Sequence, residues 1–520
     1  MKLSIKPLTL LVASLILTAC GSSSHAPKIT LEKTSFTAIA TTHLTITADI
    51  TDEDNDLNAI EWQQVQGPGT TEFVDQAVGS NKMTFMLPHE AGEYVYVVSA
   101  IDKKNFKRSE RITIQVGSLQ EHIFEPLSTL FDSTFTQHEG EIINMASLID
   151  FGDGIVWQDA AGLAQQATRQ PMTPEHQFRI ASVSKTLSAA VTFKLIEKGL
   201  FTLDTPIGAL LTDTDMPQGF TVGDLHHSGD TKQGETITIR QLLDQSTGIR
   251  DFVSYLQDFQ APDTRAFLEA LTQQDHNVPQ RWHSDLLIQE LLERGLTKEL
   301  ETMPGSAYLY GNSNSDLLAW TLEKFTGQTF EALLEEHVFL PLDMQHTYMD
   351  YHQAKKGQGP IEHLFMIQTD APEYQYLNGN HNVVALGVNT SFAWAGGGIV
   401  STLDDLNAFF SALHSDQFIL DAALRSELKS YWRKTTTAEE ELEGPTEFYG
   451  LAMEKVIEKN YQTVGHSGFW GVYASHVTPL DVHMYTWAGQ PYSDAAETFQ
   501  DQAIKLLHSK GINGTTVFQQ

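Results

Sequence analysis

Ser182 and Lys185 stand three residues apart in "FRIASVSKTL". If Ser182 opens a helix, Lys185 lies one turn on, on the same face, and its amine can reach the serine hydroxyl. A serine alone is a poor nucleophile and needs a neighbouring base. Lysine serves as that base only when neutral, which requires burial or a second cation nearby. A tyrosine hydroxyl beside the pair could relay the proton, and the helix N-terminus adds positive potential where an oxyanion would form. The spacing alone is weak, because S-x-x-K arises by chance about once in a few hundred residues at average usage. A second copy occurs at Ser426–Lys429, inside "AALRSELKSYW", which reads as an amphipathic helix with both residues on its wet side.

Other chemistries lack their residues. "GHSGF" at Gly465 approaches a G-x-S-x-G elbow but lacks the final glycine. No H-E-x-x-H occurs, and no Gly-Lys pair that a phosphate-binding loop would need. The 20 histidines fall into no familiar metal spacing, so neither a metal nor another cofactor is expected. Net charge is -33, with 33 Lys+Arg against 66 Asp+Glu. That balance argues against nucleic acid or an anionic membrane surface as partner, since phosphates would be repelled.

The elements around the pair follow from pattern. At 520 residues the chain is too long for one simple core. From about Pro27 to Val116, runs such as "HLTITADI", "KMTFMLP", "EYVYVVSAID" and "RITIQV" alternate in period two between turns, the signature of a small antiparallel β-sandwich. Further on, "EPLSTLFDSTFTQ" reads as a helix and "NMASLIDFGDGIVWQDAAGLA" as a hairpin. "SKTLSAAVTFKLIEKGL" reads as a helix with one strongly apolar face and a stop at Gly199. More helices follow near "TIRQLLDQ", "TRAFLEALTQQ", "SDLLIQELLERG", "SDLLAWTLEKFTG", "FEALLEEHVF" and "LDDLNAFFSALH". "FYGLAMEKVI", "YQTVGHSG", "VYASHVT" and "VHMYTWAGQ" read as consecutive strands, and "AAETFQDQAIKLLHSKG" as a closing helix. Strands at both ends with helices between predict an α/β (α+β) domain, its antiparallel sheet assembled from both ends, plus an all-helical lobe.

The start, "MKLSIKPLTLLVASLILTAC", has basic Lys2 and Lys6 and then an apolar run too short to span a bilayer. Leu17-Thr18-Ala19-Cys20 resembles the lipobox of bacterial lipoproteins, which implies a signal peptide over 1–19 and lipidation of Cys20. Acyl chains there would anchor the protein to a membrane of the cell envelope. Gly21 is not the aspartate tied to inner-membrane retention, which leans toward the outer membrane. Cys20 is the only cysteine, so no disulfide framework and no thiolate metal site remain. The Ser-rich stretch over 20–28 reads as a flexible spacer.

"ITADITDEDNDLNAIEWQQVQGPG" and "AGEYVYVVSAID" resemble Ig-like domains of the PKD type, over 29–117, with Trp62 as the core residue between the sheets. Asp52, Asp54 and Asp56 look like the start of a calcium loop. Leu57, however, stands where an EF-hand needs glycine, and Gln63 where it needs the bidentate Glu, so a polar turn is expected.

"PEHQFRIASVSKTLSAAVTFKLIEKGLFTLD" resembles the serine β-lactamase and penicillin-binding family, in its class C β-lactamase and DD-peptidase-like branch. "TIRQLLDQSTGI" is similar to the family's T-I-R-x-L-L-x-H-T-S-G, with Gln245 in the histidine position. "FLPLDMQHT" and "AGGGIVSTLDDLNAFF" match two further segments. The resemblance covers about Glu125 to Gly511 and implies a hydrolase domain over 121–512. It also implies a Y-x-N motif, for which Tyr310–Asn312 has the right flanks and Tyr376–Asn378 does not. A third motif, K-T-G or H-[ST]-G, fits His466-Ser467-Gly468 by order and strand context, and His227-Ser228-Gly229 by neither. By resemblance, Ser182 is the nucleophile, Lys185 and Tyr310 move the proton, and Asn312, His466, Ser467 and Gly468 bind substrate. The N–H groups of Ser182 and Phe469 form the oxyanion hole. His466 replaces the usual lysine, which weakens the hold on a substrate carboxylate. Phe469 replaces a frequent second glycine and narrows the site. The expected activity is acyl-enzyme hydrolysis of an ester, an amide, a β-lactam or a D-amino-acid peptide. The other reading is a non-catalytic penicillin-binding-like or adhesion module at the envelope.

Overall fold

The computed structural model describes residues 25–510 and Ile512, apart from 40–42, 75–78, 89, 254–281, 299, 301, 368–378, 386–388, 416, 438–439, 441–443 and 492. Cys20 with its leader, the "TRAFLEALTQQ" helix and the alternative Tyr376–Asn378 pair lie outside the described residues. Among those described, no helix is long and apolar enough to cross a membrane. The chain divides into two compact units, Met1–Leu119 and Gln120–Gln520.

The first unit holds two four-stranded sheets. One runs Lys28–Leu31, His43–Thr51, Lys82–Met86, Glu72–Phe73; the other runs Ser35–Ile39, Lys107–Gly117, Gly92–Asp102, Leu57–Gln66. Their inward faces share one core around Ile46, Phe85, Tyr96, Val98, Ile112 and Ile114. The pairing is not wholly antiparallel as predicted, because Ser35–Ile39 runs parallel to Lys107–Gly117. The cause is the short link after Leu31, which carries the chain from the first sheet to the second. Trp62 flanks this core without filling its centre: it meets Phe85 edge-on at 6.0 Å and donates its indole N–H to Ser80 O at 3.1 Å. Phe85 and Tyr96, both fully buried, take the central place. Asp52 does form a polar turn, accepting the N–H groups of Asp54 and Asp56.

The second unit is built on a nine-stranded antiparallel sheet. Its order is Gln170–Pro171, Val156–Gln165, Asn144–Asp150, Val482–Trp487, Val472–Thr478, Gln462–Gly468, Glu454–Ile457, Thr446–Tyr449, Arg433–Lys434. Strands from the two ends of the unit thus meet where Asn144–Asp150 pairs with Val482–Trp487. Helices cover both faces. Trp157 stacks on Phe499 of the Ala495–Ser509 helix at 5.7 Å, with Phe131 of the Glu125–Gln137 helix beside them. On the other face Tyr485 meets Phe410 of the Leu403–His414 helix, and Trp487 stacks on Phe178. The lobe beside the sheet contains the helices Ile239–Leu243, Ser284–Glu293, Asn312–Thr326 and Phe330–Leu334.

Two expectations change. "FYGLAMEKVI" is not one strand: Thr446–Tyr449 and Glu454–Ile457 pair as a hairpin. Ala452 takes φ +58 in the turn and donates its N–H to Leu243 O, which docks the turn on the helical lobe. The Ser184–Glu197 helix is buried nearly all round instead of on one face. Its small polar residues make this possible, because Thr186 donates to Ala452 O and Ser188 to Ala395 O, each at 2.8–2.9 Å.

Candidate active site

Ser182 lies in a single turn, Ala181–Val183, that leads directly into the Ser184–Glu197 helix. Ala181 sits at φ +45, an uncommon conformation for a residue with a side chain. One turn on, Lys185 is almost wholly buried. Its ammonium donates to Ser182 Oγ at 3.0 Å, Asn312 Oδ1 at 2.6 Å and Gly396 O at 2.7 Å. Burial pulls the Lys185 pKa down to about 8, against the opposing pull of Asp251, Asp316 and Glu454.

Tyr310 and Asn312 come from the loop entering the Asn312–Thr326 helix. The Tyr310 ring lies 4.9 Å from Lys185 Nζ. Burial holds this phenol well above its ordinary pKa, so it is protonated at neutral pH. Two residues fix the loop. Gln245, at φ +60, accepts the N–H of Gly311 at 3.0 Å and an amide N–H of Asn314 at 2.7 Å. Asp251 caps the helix, accepting the N–H of Asn312 at 2.7 Å. Gly396 approaches so closely that a Cβ there would stand 2.9 Å from Asn312 Oδ1.

The third group comes from the Gln462–Gly468 strand. A Cβ on Gly468 would stand 2.5 Å from Ile180 O, so the strand end presses against the turn that carries Ser182. Phe469 follows directly, is 37% exposed, and packs edge-on against Trp470 at 5.0 Å. His466 is buried. Its Nδ1–H donates to Ser467 O at 2.6 Å, which leaves Nε2 to accept the Tyr449 hydroxyl at 3.1 Å. Burial lowers the His466 pKa; Glu454 opposes this and Lys185 adds to it. The ring is therefore neutral near pH 7. Ser467 gives both its N–H, at 2.7 Å, and its hydroxyl, at 3.1 Å, to Glu454.

The structure thus brings Ser182, Lys185, Tyr310, Asn312 and His466–Phe469 together and leaves the rival copies apart. Ser426 and Lys429 are exposed on the Ala422–Ser430 helix. His227 sits in a two-residue hairpin strand, bonded to Asp224. Asp251, Glu454, Tyr449 and Asp316 escaped sequence reasoning. Asp251 follows "STGIR" directly, which is the one signal that pointed to it. A cleft of about 1020 Å³ opens beside the site, with Tyr308, Tyr449, Glu454, His466 and Ser467 along one end. Ser182 and Lys185 do not line it.

The beta-lactamase family model matches residues 120–506. Over 357 residues the chain is 24% identical to a penicillin-binding protein of Bacillus subtilis, covering 67% of each. Over 315 residues it is 26% identical to the D-aminopeptidase of Brucella anthropi, covering 60% of this chain and 49% of that protein. The D-amino acid amidase of Ochrobactrum anthropi shares the fold with a TM-score of 0.57 at 17% identity, covering 74% of this chain and 99% of that one. The hydrolase EstCE1 does so with 0.55 at 18%, covering 74% and 99%. The model match spans most of the chain, and it covers every side chain gathered around Ser182. The chain belongs to the beta-lactamase family of serine hydrolases.

Proposed function

We propose that the protein hydrolyses an ester, an amide or a D-amino-acid peptide through an acyl-enzyme on Ser182. The observation that carries this reading is the environment of Lys185. Two fixed acceptors, Asn312 Oδ1 and Gly396 O, take two of its hydrogens. In the neutral amine the remaining lone pair then faces Ser182 Oγ, 3.0 Å away. Lys185 accepts the hydroxyl proton as Oγ attacks the substrate carbonyl. The N–H groups of Ser182 and Phe469 hold the resulting oxyanion. Tyr310, still protonated, passes a proton to the leaving group and regains one from Lys185. Water then attacks the ester on Ser182 by the same route and releases the acid.

His466 favours substrates without a free carboxylate. Its ring is neutral and already bonded at both nitrogens, so it offers no cation to a carboxylate. Esters and amides should therefore exceed penicillins as acyl donors. The proposal extends to a lipid anchor at Cys20, placement at the bacterial envelope, and an Ig-like first unit acting as a spacer.

Labelling tests the acyl-enzyme. A fluorophosphonate and a fluorescent penicillin should mark the wild type and leave Ser182→Ala unmarked, with the fluorophosphonate faster. Equal labelling of the variant, or none of the wild type by either probe, rejects the reading.

The pH profile offers a second test. kcat/KM should rise with pH through about 8, as Lys185 loses its proton. Glu454 holds protons on both Lys185 and His466. Glu454→Gln keeps an acceptor for Ser467 and removes the charge, so the rising limb should move to lower pH. An unmoved limb would show that another group titrates.

A further inference from the structure

The two ends of the second unit meet at a cluster of side chains that the acyl-enzyme chemistry does not use. His138 ends the Glu125–Gln137 helix, Glu141 follows shortly after, and Asp494 precedes the Ala495–Ser509 helix. His138 and Asp494 are 356 residues apart along the chain, so no motif spacing reveals the group. One ligand atom from each of the three lies within 4.8 Å of the other two, and no other trio of His, Cys, Asp or Glu among the described residues comes this close. His138 is the sheltered member, with 12% of its side chain exposed, and both carboxylates face solvent.

Two details set this group apart from a surface ion pair. His138 Nδ1 stands 2.9 Å from Thr134 O, and a carbonyl only accepts, so Nδ1 carries a proton and that bond fixes the ring. Nε2 then points at Asp494 Oδ1, 2.8 Å away. Histidines that hold a metal are oriented in this way, with the second ring N–H on a backbone carbonyl or carboxylate. The other detail lies at Asp494. An aspartate at a helix start ordinarily accepts an N–H of the first turn. Asp494 makes no such bond, and Ser493 Oγ accepts the N–H of Ala495 at 3.3 Å. The Asp494 carboxylate is turned to His138 instead. Glu141 brings a second carboxylate to the same imidazole. One protonated ring cannot balance two carboxylates, whereas a divalent ion beside a neutral ring can.

We infer that His138 Nε2 and the carboxylates of Glu141 and Asp494 bind a zinc ion that staples the Glu125–Gln137 helix to the Ala495–Ser509 helix. An imidazole nitrogen with two carboxylates suits a borderline metal, whereas calcium and magnesium take oxygen ligands. Zinc holds such ligands at about 2.0–2.2 Å, which sets neighbouring ligand atoms about 3.3 Å apart. The 2.8 Å contact must open and the wider ones close, and both carboxylates lie at the surface, where they can turn. Water completes the shell. The two helices already pack through Phe131 and Phe499 at 5.4 Å, and the ion locks their ends. A proton on Nε2 is its competitor, and the rival reading is an ion pair between His138 and Asp494 alone.

Isothermal titration of the full chain with zinc chloride near neutral pH, and in parallel with magnesium chloride, tests the site. One Zn²⁺ should bind per chain with a dissociation constant of about 10⁻⁵ M, weaker than structural sites with four protein ligands. His138→Gln keeps an N–H for Thr134 O and should abolish the binding. Glu141→Gln, at an exposed position, should weaken it at least about tenfold, since loss of an outer-shell partner alone costs that much. Zinc at ten times the dissociation constant should raise the melting temperature of the wild type by about 2 °C, and that of Glu141→Gln by less than half as much. Far-ultraviolet circular dichroism checks the fold, and if His138→Gln misfolds, Glu141→Gln carries the test. Absence of zinc heat up to millimolar concentrations overturns the site. So does wild-type affinity in Glu141→Gln, which leaves the ion pair alone. Equal affinity for magnesium overturns the assignment to zinc, and zinc that binds without moving the melting temperature overturns the staple.

Discussion

Lys185→Met should cut kcat/KM for ester hydrolysis by about 10³-fold or more, the upper range for loss of a general base. Methionine matches the length of the lysine stem and has no amine. The substitution removes the cation bonded to Ser182 Oγ and strands two acceptors, Asn312 Oδ1 and Gly396 O. Stability responds to opposing effects. The buried cation no longer has to be stripped of water, which favours the variant. Two carbonyl oxygens lose their partner, and Asp251 and Asp316 lose a neighbouring positive charge, which disfavours it. Asp316 softens that loss, since burial already holds its carboxyl well above the usual range and so toward its neutral form. The net cost should be about 1–3 kcal/mol, the price of unsatisfied buried groups. Urea unfolding beside single-turnover kinetics separates the two results. A folded variant that keeps more than a tenth of wild-type kcat/KM would remove Lys185 from the proton path.

Gly468→Ala should act through position alone. Its new methyl group would stand 2.5 Å from Ile180 O, 3.2 Å from Val472 Cβ and 3.4 Å from Ala181 Cβ. Backbone supplies the closest of these contacts, so no flexible side chain can yield. Ala181 is already at φ +45 and the helix behind it is packed on all sides, so the turn cannot retreat either. The strand must move off the turn. A displacement of about 1 Å separates the N–H of Phe469 from that of Ser182, and such misplacement costs about 10²-fold in rate. Overpacking should cost about 1–3 kcal/mol of stability. The loss should fall on kcat, with fluorophosphonate labelling of Ser182 slowed in proportion. Ser426→Ala, in the exposed copy of the motif, should alter neither rate nor stability. A Gly468→Ala enzyme with wild-type kcat would show that the strand and the turn move independently.

Much of this site was legible because its order along the chain is a chemical constraint. A nucleophile needs a helix start, its base one turn on, and a sheet edge nearby, and only one arrangement of the duplicated motifs offers all three. The helices before Gly199 and Gly327 ended where glycine can take a positive φ, as both do. The residues that escaped notice act through burial and distance. Glu454 is one more strand glutamate until the hairpin folds it onto Ser467. Tyr449 looks like a core aromatic until His466 Nε2 meets it. The hairpin reads as one strand in the sequence because Gly450-Leu451-Ala452-Met453 is apolar, and apolar turns carry none of the usual polar signals. The Ser184–Glu197 helix reads as one-faced because threonine and serine on its far side suggest water, whereas Thr186 and Ser188 donate to neighbouring carbonyls.

The pairing of Asn144–Asp150 with Val482–Trp487 also governs when the protein can become active. A ribosome releases the Ser182 turn more than 280 residues before His466 and its strand arrive. Until then Lys185 has no sheet to seal it from water, its amine keeps its proton, and Ser182 has no base. The nascent chain is chemically inert for most of its synthesis. Contacts of such long sequence separation also make folding slow. That delay leaves the polypeptide unreactive until the two ends of the sheet have met.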